Sequence, residues 1–171
     1  MKFKIREEGS ESLYLRCEDV PSSYFDDDKF SKHIEKMIQF MKDSDGVGLS
    51  APQIGINLNY FVMAQGDESF ACINPKILKV SQDNVTLQEG CLSFPGMFLD
   101  IERPSTVTTA FLDANGDLQA HEFQGMWSRI FMHEYDHLCG KLFTQYVGSV
   151  KLGRARSKAK KLNKQVNRIM A

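Results

Sequence analysis

Apolar side chains recur every three or four residues in three segments, the spacing at which they share one face of a helix. In the first segment, Ile34, Met37, Ile38 and Met41 follow three consecutive aspartates, whose carboxylates suit a helix N-terminus. Gly140 provides a stop signal for the second segment. The predicted helices cover residues 26–43, 126–138 and 152–170.

Shorter runs, each bounded by turn residues, predict strands between the first two helices. An Asn115-Gly116 pair between two such runs is typical of a β-hairpin. The glycine-rich segment 46–55 is predicted to be a loop. This order of elements indicates an α+β fold, with antiparallel sheets around the second helix. Strand-like runs cover residues 60–64, 70–73, 84–88 and 105–112.

Charge is distributed unevenly along the 171 residues, whose length fits one domain. We assign residues 1–148 to its body and residues 149–171 to a basic helical extension. The segment from Lys151 onward holds eight basic residues and no acidic one, whereas residues 1–150 hold 13 basic and 22 acidic residues. Such an extension docks on its own acidic body, contacts an anionic partner such as the ribosome, or is simply solvated.

Apolar runs are too short for a secretory signal or a transmembrane helix. We therefore expect a protein of the cytoplasm, or of an organelle interior after processing, with no membrane contact and no specific DNA binding. The four cysteines do not have the spacing of a disulfide framework. Three of them, Cys17, Cys72 and Cys139, are interpreted as small buried apolar residues.

The strongest chemical signal is the segment His-Glu-Tyr-Asp-His at residues 133–137. Residues four apart share a helix face, so both imidazoles can bind one metal ion with Glu134 beside them. A catalytic site usually has a third protein ligand and one open position. The metzincin pattern fails because Phe143 stands where its third histidine would be, and no acidic residue follows Asp136 to act as a thermolysin-like ligand.

The third ligand must therefore lie upstream or be Cys139, which points away from the face of the two imidazoles. His33 and His121 have no supporting motif. Cys91 follows Gly90 in a stretch where the backbone can approach a ligand closely. Two alternatives stay open: a metallopeptidase that binds its metal through the same helix, and a non-catalytic interaction protein whose fold is stabilised by the metal.

Three motifs, taken in order, resemble those of the peptide deformylases, and Asn74-Pro75 is a further similarity. The resemblance covers about residues 12–143. Ser50 and Met132 replace the usual alanine and glutamine, and neither change removes a metal ligand or catalytic group. The motifs are GVGLSAPQ at 46–53, EGCLS at 89–93 and HEYDHL at 133–138.

The resemblance implies a metal-dependent hydrolase that removes the formyl group from the N-terminal formyl-methionine of nascent polypeptides and releases formate. It implies attack by metal-bound hydroxide, with Glu134 as general base and with Gln53 and the backbone N–H of Leu92 as oxyanion donors. The ligand chemistry suits Fe(II), which the resemblance favours, while Zn(II), Ni(II) or Co(II) can substitute. The implied metal ligands are Cys91, His133 and His137.

An apolar pocket for the methionine side chain is also implied. By resemblance, Val47, Leu92, Ile130 and His133 form its wall, and the substrate-binding residues are Val47, Gly48, Gly90 and Ile130. The two glycines would let the substrate backbone pair with the enzyme as an added strand. Three further apolar residues are weaker wall candidates and are interpreted as ordinary core: Phe98, Met126 and Phe131.

Overall fold

The computed structural model of the protein describes residues 3–169. Within them it contains three α-helices and seven β-strands, and every pairing between these strands is antiparallel. The predicted α+β class is therefore confirmed. The helices are α1 (Lys29–Asp43), α2 (Met126–Leu138) and α3 (Ser149–Ile169); the strands are β1 (Gly48–Ser50), β2 (Tyr60–Gln65), β3 (Glu68–Val80), β4 (Asn84–Gly90), β5 (Phe98–Pro104), β6 (Thr106–Leu112) and β7 (Leu118–Gln124).

Two sheets surround α2. Five strands form the larger sheet in the order β1-β2-β3-β6-β7, and β4 pairs only with β5. Helix α2 packs against β1, β2, β6 and β7 of the larger sheet and against β5 of the smaller one. Ten of its thirteen residues are buried, which confirms the predicted central position. The start of the larger sheet and the end of β4 thus meet at the same helix.

Three hydrophobic clusters hold these layers together. The first packs α1 on β1 and β2, and it buries Ile34, Met37 and Met41 as the helical spacing predicts. The second lies between the larger sheet and α2, where the rings of Phe61 and Phe131 meet edge to face at 5.1 Å. The third joins β5 and two 3₁₀ helices, Glu11–Leu13 and Phe143–Tyr146, to α3.

The structure corrects two predictions around the first helix. Helix α1 begins at Lys29 instead of residue 26, because Asp27 folds back and its carboxylate accepts a hydrogen bond from the Lys29 N–H at 2.9 Å. The segment 46–55 is not simply a loop, since it contains β1 and a 3₁₀ helix, Ala51–Ile54. Pairing with β2 stabilises the short strand, and the local sequence carries no sign of that partner.

Two strands differ from the prediction based on the apolar pattern: β3 is longer than predicted, and β5 was not predicted. Strand β3 continues through Pro75, where its pairing with β6 is irregular between Ile73 and Lys76. A proline inside a strand weakens the sequence signal for it. Strand β5 was not predicted. Its inward face carries Leu99, Ile101 and Arg103. Because Arg103 is charged, it interrupts the alternation of apolar and polar residues from which a strand is predicted.

Helix α3 begins three residues before its predicted start, and Met170, its predicted end, lies outside the described residues. The apolar face predicted for this helix comprises Leu152, Ala155, Ala159, Leu162 and Val166. Only its first half is packed, since Ala159 is buried whereas Leu162 and Val166 are each 42 % exposed. Within residues 3–169, no helix combines the length and apolarity needed to cross a membrane.

Candidate metal centre

Helix α2 carries both imidazoles on one side. Gly125 precedes the helix with φ of 57°, and Gly140 follows it with φ of 69°, a conformation that favours glycine and ends the helix. The rings of His133 and His137 are 5.2 Å apart between centroids, and both are buried. The spacing of four residues therefore produces the shared face that it predicts.

Cys91 reaches the same point from the end of β4. Its Sγ lies 3.3 Å from Nε2 of His137, and one ligand atom from each of Cys91, His133 and His137 lies within 4.8 Å of the others. Separations of this size let three donors reach one ion. One thiol and two imidazoles suit the borderline-soft divalent metals and not Mg²⁺ or Ca²⁺. Cys139, by contrast, caps α2 and is not part of this group.

A glutamate lies behind the first imidazole. Nδ1 of His133 is 2.8 Å from Oε2 of Glu89, the residue two positions before Cys91. Such a contact orients a histidine and leaves its other nitrogen, Nε2, to face the ligand group. The strand that delivers the cysteine therefore also positions one of the histidines.

Buried charges surround Glu89. Nε and a terminal nitrogen of Arg103 donate to its two oxygens at 2.6 and 3.0 Å, and Arg129 donates to it at 2.8 Å. Arg103 also donates to Asp136 at 2.7 Å and lies over the ring of Tyr146. Burial by itself would raise the pKa of Glu89, but hydrogen bonds from His133 and Arg103 outweigh it and hold the pKa well below its usual range.

The two histidines have opposite electrostatic surroundings. Burial lowers the pKa of His133, but hydrogen bonds to Cys91 and Glu89 outweigh that effect, so the pKa lies well above its usual value. Burial and the neighbouring His133 lower the pKa of His137 well below its usual value. Nδ1 of His137 is buried and has no hydrogen-bond partner among residues 3–169. A neutral His137 offers a lone pair, which is the form that binds metals.

Glu134 lies between the imidazoles and β1. It is 4 % exposed, and burial raises its pKa to about 7. A Cβ added to Gly48 would lie 2.4 Å from Oε1 of Glu134, so only glycine allows this approach. No described group donates a hydrogen bond to the other carboxylate oxygen, Oε2, which is buried. Glu134 therefore carries a carboxylate oxygen that is free to accept a proton.

Gln53 points its amide at the centre. Its Nε2 lies 3.4 Å from Sγ of Cys91 and 3.2 Å from Oγ of Ser93. Its Oε1 accepts hydrogen bonds from the backbone N–H and the hydroxyl of Ser50, both at 2.9 Å. These two bonds fix the orientation of the amide, so the donor side faces the ligands. Ser50 thus has a defined role in capping the 3₁₀ helix that carries Gln53.

A cavity of about 530 Å³ opens onto these groups. Phe98 and Met126 line it, so the interpretation of them as ordinary core is wrong, whereas Phe131 is fully buried in the core between α2 and the larger sheet. Met132 is buried as well. Each residue expected to bind the substrate lines the cavity: Val47, Gly48, Gly90, Leu92, Ile130 and His133.

Other titratable candidates lie elsewhere. Nε2 of His33 is 2.9 Å from the hydroxyl of Tyr60, and His121 stacks on Phe123 at 5.3 Å between centroids. Of the cysteines interpreted as buried, only Cys72 is fully so, while Cys17 and Cys139 are half-buried.

Sequence reasoning missed the charges that support the site. Arg129 precedes His133 by four residues and so shares its helix face, which was a usable signal. Arg103 and Asp136 had no such signal, because their partners are distant in the chain. Glu89 stood inside the second motif without an assigned role.

Comparisons with known proteins agree with this architecture. A model of the polypeptide deformylase family matches residues 2–152. A peptide deformylase of Thermotoga sp. is 38 % identical over 166 residues, covering 97 % of this chain and 99 % of that protein. The crystal structure of a peptide deformylase from Legionella pneumophila has a TM-score of 0.87 at 32 % identity, with 97 % and 98 % of the two chains covered. That of a peptide deformylase from Synechococcus elongatus in complex with actinonin has a TM-score of 0.86 at 37 % identity, with 92 % and 86 % covered.

Proposed function

The chain belongs to the polypeptide deformylase family, whose members act on N-formyl peptides, and from this premise we propose a metal-dependent reaction on the formyl-methionine of newly made polypeptides. Water is consumed, the formyl C–N bond breaks, and formate and a free α-amine are released. One observation carries the proposal: a thiol and two imidazoles converge at the cavity, beside a buried carboxylate and an amide N–H.

Cys91, His133 and His137 would hold the metal. When bound, a divalent ion lowers the pKa of coordinated water and polarises a carbonyl oxygen. We propose Fe(II) as the working metal, which the resemblance to the family favours; thiolate and imidazole suit Zn(II), Ni(II) and Co(II) equally, so these ions could take its place. Three protein ligands leave one position open, which is typical of catalytic sites and not of structural zinc sites.

Glu134 would act as the general base. Its Oε2 accepts no hydrogen bond from the described residues, so it is free to take a proton from the attacking water. The protonated carboxyl would then act as a general acid and pass the proton to the nitrogen of the departing α-amine. Gly48 lets the carboxylate lie against β1, where a substrate backbone would pass.

Gln53 and Leu92 would stabilise the negative charge that develops on the formyl oxygen. The Gln53 amide is held in advance by two hydrogen bonds from Ser50, so little reorganisation accompanies the reaction. Leu92 directly follows Cys91 and lines the cavity, so its backbone N–H lies in the same region. Donors of this kind contribute on the order of 3 kcal/mol each to transition-state stabilisation.

The methionine side chain would occupy the apolar part of the cavity. Ile130 is buried at its wall, and Val47 and Met126 stand half-exposed at its edge. Gly48 and Gly90 present backbone without side chains on β1 and β4, so an extended peptide can add between them as a strand. This arrangement orients the formyl end towards the metal ligands.

The direct test compares formyl-Met-Ala-Ser with Met-Ala-Ser, using Ni(II)-loaded protein and a formate-coupled assay. We expect formate only from the formylated peptide and no cleavage of a Met-Ala bond in either. Release of free methionine would support a peptidase instead. No formate from folded, metal-loaded protein would overturn the proposal.

We also propose that α3 contacts the ribosome through its outward face. Arg154, Lys158 and Lys161 lie together there and are exposed, and phosphates are their natural partners. Sedimentation with ribosomes at low and high salt tests this, beside a K158E/K161E variant. We expect the parent protein to sediment with ribosomes at low salt, and we expect high salt or the K158E/K161E substitutions to abolish this. Equal recovery of variant and parent would refute the contact.

A further inference from the structure

A second groove lies beside the active-site cavity, between α3 and the segment from Ser93 to Met97. Its volume is about 890 Å³, and it shares three lining residues with the cavity: Phe94, Pro95 and Met97. Pro95 is exposed whereas Phe94 and Met97 are buried, and we call this segment, which borders both depressions, the ridge. A chain leaving the cavity across this ridge therefore enters the groove directly.

Helix α3 fixes the position of the ridge. Nδ2 of Asn163 donates a hydrogen bond to the carbonyl oxygen of Pro95 at 2.9 Å. Gly96 has φ of 74°, and a Cβ built there would lie 2.9 Å from Oδ1 of Asn163. The groove is therefore bounded by packed, mutually bonded elements and is not a gap beside a detached helix.

A line of cations faces the groove. Arg156, Lys160, Lys164 and Arg168 recur every four residues, so they lie on one side of α3, and all four line the groove. Arg156 pairs with Glu8 on the opposite wall. The other three cations are exposed, and they form no ion pair within residues 3–169. Glu7 also lines the groove and forms no ion pair within residues 3–169, so three unpaired cations face one unpaired carboxylate and the groove keeps an excess of positive charge.

We propose that this groove is an exosite for an acidic stretch of the substrate polypeptide, downstream of the residues held in the cavity. The proposal rests on the proposed function, because it needs a peptide that enters with its formylated end first. The occupant is the same polypeptide chain, since the ridge connects the two depressions. Acidic side chains fit because Lys160, Lys164 and Arg168 form no ion pair among the described residues and outnumber the one unpaired carboxylate, Glu7.

Spacing supports an extended acidic peptide as the ligand. Cations four residues apart on a helix are separated by about 6 Å along its axis. Alternate residues of an extended chain are separated by about 6.6 Å and point to the same side. A peptide with glutamate at every second position can therefore place successive carboxylates against Lys160, Lys164 and Arg168.

The test uses formyl-Met-Ala-Ser followed by a Gly-Ser-Gly spacer and either Glu-Ser-Glu-Ser-Glu or Gln-Ser-Gln-Ser-Gln. With the Ni(II)-loaded protein at low salt, we expect a KM about fivefold lower for the glutamate peptide, because two or three exposed ion pairs add modest binding energy. The kcat should be equal, since the reacting end is the same. Salt near 0.5 M, at a Debye length of roughly 4 Å, should remove the difference.

Two charge-reversal variants separate local binding from a general field. K160E/K164E acts in the groove, whereas K158E/K161E changes the net charge equally on the outward face. We expect the first variant to lose or reverse the preference for glutamate and the second to retain it. Both should turn over the unextended tripeptide at the parent rate.

Two results would overturn the exosite, and a third would refute the proposed function. Equal KM values for the two extended peptides with the parent protein would overturn the exosite. Equal loss of preference in both variants would overturn it too, because overall charge would then explain the effect. Failure of the parent to deformylate the unextended tripeptide would instead refute the proposed function. Anisotropy of labelled, unformylated versions of both peptides checks the affinity difference without catalysis.

Discussion

Nδ1 of His133 and Oε2 of Glu89 lie 2.8 Å apart, and both side chains are buried. The contact joins α2 to the end of β4, the two elements that supply the candidate metal ligands. Glu89 also receives hydrogen bonds from Arg103 and Arg129, so its negative charge is balanced on three sides. The orientation of one ligand therefore depends on a buried ion network that joins the smaller sheet to α2.

Replacing Glu89 by glutamine tests this dependence. The amide keeps the shape but removes the charge that orients His133, so we expect metal affinity to fall roughly ten- to a hundredfold. Stability should fall by about 3 kcal/mol, because Arg129 loses its buried carboxylate partner and Arg103 keeps only Asp136. Chelator competition and urea denaturation measure the two effects. Glu102→Gln, at an exposed position of the same hairpin, is the matched control, and equal metal affinity in both variants would refute the role.

Two substitutions separate metal binding from proton transfer. Cys91→Ala should lose bound metal because one of three ligands is removed, and activity should fall with it. Glu134→Gln should keep stoichiometric metal but lose activity by roughly a hundredfold or more, since its carboxylate would carry the proton. Elemental analysis measures the bound metal, and formate release measures the activity of the same samples. Cys139→Ala should retain both properties, and a Glu134→Gln variant with parental activity would exclude it as the base.

Gly48 is predicted to be required for the position of Glu134. A Cβ there would meet Oε1, Cδ and Cγ of Glu134 at 2.4 to 2.9 Å, so Gly48→Ala must displace the carboxylate or β1. We expect kcat/KM to fall by roughly a hundredfold, as misplacement by about 1 Å does elsewhere. Gly148→Ala is the control, because a Cβ there has no heavy atom within 4 Å. Similar kinetics for both variants would contradict the steric argument.

His33 should make stability depend on pH. Burial, with a smaller contribution from Lys36, lowers its pKa below 6.5, so the folded state binds fewer protons than the unfolded state. The neutral imidazole therefore contributes stability that is present above pH 6.5 and is lost as pH falls towards the folded pKa. We expect His33→Gln, which can still bond to Tyr60, to lose less stability between pH 7.5 and 5.5. Urea denaturation at both pH values measures this, and identical losses in parent and variant would count against it.

Local sequence accounts for α2 and for much of the site. Its helical period, the spacing of His133 and His137 and the stop at Gly140 all depend on neighbours within one or two turns, and each was confirmed. The position of Cys91 beside them was expected only through the resemblance of three motifs. The same motifs indicated residues that the structure does bring to one cavity.

Features that depend on contacts between distant parts of the chain could not be predicted from the sequence. Strand β5 has an inward arginine, Arg103, which is tolerated only because Glu89 and Asp136 compensate it from other elements. The short β1 exists because β2 pairs with it. The exposure of Leu162 and Val166 shows that an apolar helical pattern does not guarantee a packed partner.

The amino-acid sequence by itself determined the α+β class, the central helix with its two imidazoles and the basic character of the last segment. These follow from the identities and spacings of residues close in the chain, where geometry is fixed by helix and strand periods. Only the tertiary structure decided that Glu89 lies behind His133, that Gly48 makes room for Glu134 and that α3 borders a groove beside the cavity. Each of these relations joins elements more than 40 residues apart, and packing rather than local periodicity sets the distance between them.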